Sequence, residues 1–291
     1  MAILYYLFLK PASLLPMGLL YLWSDACFVV LYYLIGYRKQ VVRQNLKNSF
    51  PEKTEKELRA IERAFFRHLC DLMVEGIKLF SLRQGEVTKR LMCVNPELLQ
   101  NIHNQGKSVV LIGGHYSNWE WYAAFANLHV PQETYAIYTP IRNAFLNRKM
   151  KQSRERFGLN MVHARQLASV YKKSLKEQVA LIFATDQSPH NKHTAHWMTF
   201  LSQETGVMLG TEHFAKKGNH PVVYGELRKI RRGYYEVEYK LICDDPAGME
   251  IGTITEAHTR ELEATIRKEP AYWLWSHKRW KHKRPNDGSN G

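Results

Sequence analysis

Ser108-Val109-Val110-Leu111-Ile112-Gly113-Gly114-His115-Tyr116-Ser117-Asn118-Trp119-Glu120-Trp121 is the stretch on which the reading of the whole chain turns. A short apolar, β-branched run ends in two glycines and passes into an aromatic stretch with helical character, which reads as strand, tight turn, helix. Two glycines after a buried strand let a ligand approach the backbone, and the residues that follow can open a helix whose N–H groups face that ligand. On a continuous helix His115 and Glu120 stand about 140° apart and share no face. They meet only if His115 is still in the turn and Glu120 lies in the first helical turn. Glu120 then accepts Nδ1–H, fixes the tautomer and stabilises the imidazolium, which leaves Nε2 to take a proton from a hydroxyl. This is the base-and-orienter half of a serine-protease triad, with a substrate hydroxyl as nucleophile. A histidine near a carboxylate is more often an ordinary surface or core pair; the strand and double glycine before it are what single this one out.

Working outward, "ETYAIYT" (133–139), "QVALIFATD" (178–186), "HPVVYGELR" (220–228) and "GYYEVEYKLI" (233–242) read as further strands, the last two as a pair around the basic turn 228–233. Helical stretches are expected at about 119–127, 145–157, 166–177 and 205–217. The alternation predicts an α/β fold with a mixed, mainly parallel central sheet flanked by helices and ligands at the carboxyl ends of the strands. Before the sheet, Thr54 and Glu57 form a capping-box start. The helix that follows places Leu58, Ile61, Phe65, Leu69, Leu72, Met73 and Ile77 on its apolar side and Glu57, Arg59, Glu62, Arg63 and Arg67 on the other. His68 and Cys70 within it read as packing residues.

Composition limits the classes. The 291 residues are 45% hydrophobic and 23% charged, which excludes disorder, and a mean hydropathy of −0.39 excludes a polytopic membrane protein. Four separated cysteines with no CxxC suggest neither a disulfide framework nor a cysteine zinc site. A formal charge of +14 points to polyanionic partners, either nucleic acid or an anionic membrane surface.

The N-terminus favours the membrane. Residues 1–37 are almost wholly apolar and aromatic, interrupted by Lys10, Pro11, Pro16 and Asp25, and are read as a helix lying in the membrane interface. A charge in mid-span costs about 2.5–3.5 kcal/mol, so a crossing is possible but less favoured; a buried core helix is the other reading. Arg38, Lys39, Arg43 and Lys47 follow where lipid headgroups would lie and place that face in the cytoplasm. Residues 38–284 are taken as one catalytic domain and 285–291 as a disordered polar tail. In "WLWSHKRWKHKR" (273–284) tryptophans interleave with bases, which suits RNA stacking, an interfacial belt or a solvated tail. No other RNA-binding signature occurs, so nucleic acid is not expected as a partner. His190, His193 and His196 have a spacing that zinc could use, but no further ligand is placed nearby, and a loop without metal is expected.

"GGHYSNWEW" resembles the His-x4-Asp/Glu block of glycerolipid-type acyltransferases, and its surroundings resemble the lipid A biosynthesis late acyltransferases, the lauroyl/myristoyl transferase family. "VVRQNLKNSFPEKTEKE", "IYTPIRNAF", "FATDQSP", "MTFLSQETGVMLGTEHFAKKGNHPVV" and "WLWSHKRWK" stand in that family's order. The chain has Thr139 where the family usually has arginine. The resemblance implies His115 as catalytic base with Glu120 as its partner, and Asn118, Arg165 and Asp186 as oxyanion or substrate-binding residues. It further implies an acyl-carrier-protein or coenzyme A thioester donor and a lipid A precursor hydroxyl as acceptor, at the cytoplasmic face of a bacterial inner membrane, with no cofactor. A sibling enzyme acting on another lysolipid is the nearest alternative.

Overall fold

The computed structural model describes residues 1–285; the polar tail, apart from Pro285, lies outside them. Nine strands run β1 (Leu91–Cys93), β2 (Val109–Gly113), β3 (Glu133–Tyr138), β4 (Asn160–His163), β5 (Val179–Ala184), β6 (Ala195–Phe200), β7 (Gln203–Met208), β8 (Val222–Arg231) and β9 (Tyr234–Cys243). Seven of them form one sheet in the order β1-β9-β8-β2-β5-β3-β4. From β8 to β4 every pairing is parallel, while β9 is antiparallel to β8 and carries β1 parallel to itself. The expected mixed, mainly parallel sheet is therefore present.

Helices cover both faces because side chains alternate along a strand. On β2, Val109 and Leu111 join a core with Val74, Trp121, Ala124 and Phe125 from one side. Val110 and Ile112 point the other way, into a core with Val170, Phe214, Ala215 and Ile254.

Register places the chemistry. Gly113 of β2 lies opposite Ala184 of the adjacent β5, and the Thr185 N–H continues the ladder to the Gly113 carbonyl at 3.1 Å. The residue two past each strand, His115 and Asp186, therefore leaves the sheet at its carboxyl edge, side by side.

Helix Glu55–Lys78 begins with the capping box expected at Thr54 and Glu57. Its inner face differs from the expected one: Glu62, Asp71 and Glu75 are buried, and Met73 is exposed. Apolar periodicity missed this because the partners of those carboxylates lie far away in sequence. Asp71 takes Ser24 Oγ at 2.8 Å and Arg232 at 2.6 Å, and Glu75 takes Tyr21 Oη and Tyr235 Oη, each at 2.7 Å.

The stretch expected as a helix over 205–217 is divided. β6 and β7 form an antiparallel hairpin, and a helix, Gly210–Gly218, follows. The two-residue turn between them is Leu201-Ser202, at φ of 49° and 60°. Such turns usually carry Asn-Gly or Asp-Gly, so the sequence offered no hairpin signal.

The apolar N-terminus forms two helices, Ala2–Leu14 and Met17–Ile35. They part where Pro16 forces Leu15 into an extended conformation. Only 22% of the most apolar window of Met17–Ile35 is buried, so this is no core helix. Its inner side docks on helix Glu55–Lys78 through Tyr21 and Ser24. Arg232 clamps Asp25 and Asp71 together, at 2.7 and 2.6 Å. Leu19, Leu22, Trp23, Val30, Leu34 and Ile35 face outward.

The tryptophan-rich C-terminal block is neither a belt nor a tail. Trp273 and Trp275 are fully buried in a cluster with Phe50, Phe65, Tyr116 and Phe200.

Candidate active site

The chain turns sharply between β2 and helix Trp119–Phe125, with Ser117 in the left-handed region at φ 53°. Gly114 makes the turn workable. A Cβ there would meet Leu262 Cδ1 at 3.0 Å and the Asp186 carboxyl carbon at 3.3 Å. The sequence suggested a ligand approaching the two glycines; at Gly114 the structure places Leu262 and Asp186 there.

His115 is still in the turn, as required, but the carboxylate on its ring is Asp186. Nδ1 lies 2.7 Å from Asp186 Oδ1, and the His115 backbone N–H donates to Oδ2 at 2.9 Å. Trp273 donates its indole N–H to the same Oδ2 at 2.8 Å. The expected Glu120–Nδ1 bond is not formed. Glu120 instead takes a bidentate hold from Arg154, with Nε at 2.8 Å and Nη2 at 2.6 Å. Arg154 reaches it from helix Ala144–Glu155, which Asn143 caps by accepting the Leu146 N–H.

The charges around the ring have definite effects. Burial opposes protonation of His115 and is the largest influence. Asp186, by charge and hydrogen bond, together with the charge of Glu120 outweighs it, so the imidazole pKa stands above its ordinary 6.5; Arg154 works against them. Asp186 is driven the other way: burial favours its neutral form, but His115 and the Trp273 N–H hold the carboxyl below the usual carboxylate range. With Nδ1–H given to Asp186, Nε2 carries the lone pair. It meets the Gln187 amide at 3.2 Å, the one bond an incoming hydroxyl has to replace. Trp119 stands edge-on to the ring, with centroids 5.4 Å apart. The arrangement can therefore accept a proton from a hydroxyl at Nε2, with the resulting imidazolium paired to a buried carboxylate.

Two other expected site residues are placed differently. Asn118 is buried, its oxygen accepts the Trp121 N–H at 2.9 Å and its amide donates to Glu75 at 2.6 Å, so both its polar groups are engaged in capping a helix and joining it to the neighbouring one. Arg165 sits exposed on the turn Ala164–Gln166 and makes no ion pair with Asp186. The arginine whose charge acts on His115 is Arg154, held by Glu120. Sequence offered no signal for Arg154, Gln187 or Trp273, since their approach to His115 depends on the fold. Among the described residues no three His, Cys, Asp or Glu side chains converge as metal ligands. His190 and His193 are exposed, and His196 pairs with Glu256 at 2.7 Å.

The profile of the bacterial lipid A biosynthesis acyltransferase family matches residues 1–282. The chain belongs to that family. It is also 22% identical to the lipid A biosynthesis lauroyltransferase of Escherichia coli (strain K12) over 247 residues, 84% of this chain and 79% of that protein. The chain is an acyltransferase.

Proposed function

We propose that this acyltransferase moves a fatty acyl chain from a thioester, on acyl carrier protein or coenzyme A, to a hydroxyl of a lipid A precursor held in the inner membrane. The reaction is read as taking place at the cytoplasmic face. The observation that carries the reading is the His115–Asp186 pair, with Nε2 directed away from the carboxylate and engaged by the Gln187 amide, which an acceptor hydroxyl can replace.

In this reading His115 Nε2 takes the proton of the acceptor hydroxyl as its oxygen attacks the thioester carbonyl. Asp186 holds the ring and balances the imidazolium. Glu120 adds negative potential and fixes Arg154, whose remaining N–H groups meet the oxyanion in place of Arg165. Collapse breaks the C–S bond, and the thiolate, a weak base beside an alkoxide, leaves with the proton from the imidazolium. The membrane part of the reading rests on the outward apolar side of helix Met17–Ile35 and the basic residues after it.

The test is transfer from lauroyl coenzyme A to an underacylated lipid A precursor in detergent, followed by mass spectrometry. His115→Ala should lose at least two orders of magnitude in rate with the melting temperature kept, in line with loss of general-base catalysis. Parental activity in folded His115→Ala protein would end this mechanism.

A further inference from the structure

Residues 272–274 lay a backbone edge along the turn that bears His115. The Ser117 N–H donates to Tyr272 O at 2.9 Å, the Leu274 N–H donates to His115 O at 3.2 Å, and Tyr116 and Trp273 face each other as an antiparallel bridge. Every indole N–H buried in a core needs an acceptor. Trp121 and Trp275 use backbone carbonyls, those of Glu75 and Pro270. Trp273 uses Asp186 Oδ2.

That choice matters because of what else holds Asp186. Its other two donors are Nδ1 and the backbone N–H of His115. Without the indole, Asp186 would be oriented only by the residue it has to orient. Trp273 supplies an independent reference. Its ring is set edge-on by Phe200 and Trp275, with centroids at 5.8 and 4.8 Å, so the donor is held in direction as well as distance.

We propose that Trp273 is a positioning residue for acyl transfer, its indole N–H fixing the Asp186 carboxylate that in turn fixes the His115 ring. The proposal rests on the reading of His115 and Asp186 as base and orienter. Other ionisable groups act on the pair: Glu120 and Arg154 on the imidazole, and Arg279, His277 and Tyr224 around Asp186. All of them remain in the variant that tests the idea.

Trp273→Phe keeps an aromatic ring in the core and removes the donor. With lauroyl coenzyme A and an underacylated lipid A precursor, kcat should fall about tenfold, the scale of one hydrogen bond to a charged group, with KM within about twofold. The acidic limb of the kcat profile should move to higher pH, because a carboxylate with one donor fewer holds the imidazolium proton more strongly. Placed on Asp186→Asn, the same substitution should cost nothing more. An unchanged kcat and pH limb overturns the proposal, and so does a full tenfold loss persisting in the Asp186→Asn background. Parental activity of Asp186→Asn alone is a different outcome: it removes the base-and-orienter reading itself. Should Trp273→Phe fail to fold, the indole ¹⁵N–¹H resonance of Trp273 in the full chain gives the answer. A shift that titrates with His115 supports the proposal, and a pH-independent resonance overturns it.

Discussion

At the residue scale, activity should follow one imidazole. In the proposed mechanism His115 acts as a base only when neutral, and its pKa is raised, so kcat/KM should climb with pH through a midpoint above 6.5. In Asp186→Asn the burial that opposes the charged ring acts without its main counterweight, and the midpoint should fall below 6.5. Glu120→Gln should move it down by less, since Glu120 acts on the ring without a bond to it. A pH–rate profile of the three proteins checks the order, and a larger shift for Glu120→Gln would exchange the roles of the two carboxylates. Linkage gives the matching stability signs. The Asp186 contribution is present above its unfolded pKa and lost as pH falls through the depressed folded value. That of His115 is present below its unfolded pKa and lost as pH rises through the raised one. His115 was legible in sequence because a strand and two glycines announce a turn. Its partner was not, because Asp186 is brought in by strand register, 71 residues further along the chain.

At the element scale, helix Met17–Ile35 has two sides with different duties. The outer side carries Leu22 and Trp23; the inner side is bonded into helix Glu55–Lys78. Leu22→Ser with Trp23→Ser should release much of the protein from membranes and leave the melting temperature nearly unchanged, since exposed residues contribute little to folding. Glu75→Leu should do the opposite. It strands the donors of Tyr21, Tyr235 and Asn118 and should cost about 3 kcal/mol or more by chemical denaturation. Cell fractionation and a denaturant titration separate the two, and a destabilised outer-face variant would return the helix to the core. The apolar run was readable from residue types alone. Its docking was not, because a buried Asp or Glu on a helix looks like solvated charge until its partners are known. The interleaved Trp and basic residues at 273–284 misled for a related reason: Trp273 and Trp275 turn inward while Lys278, Lys281, Lys283 and Arg284 stay exposed.

At the scale of the whole molecule, the net charge of +14 includes Arg38, Lys39, Arg43 and Lys47, which directly follow the apolar helix. Arg38 is exposed just past the outward Leu34 and Ile35, so a cation stands at the end of the surface that would enter lipid. Binding to liposomes containing anionic lipid should weaken as salt rises from 0.1 to about 0.5 M yet not vanish, because the apolar side remains when charge is screened. Flotation at graded ionic strength measures this, and salt-independent binding would remove the charges from the attachment. The pairing of residues 272–274 with the turn at 115–117 also orders events in time. Synthesis runs from the N-terminus, so Met17–Ile35 is available to a bilayer while the tryptophan that steadies Asp186 has yet to be made. If the proposed mechanism holds, such a nascent chain meets the bilayer before its base is held in place, and an unfinished enzyme spends no acyl donor.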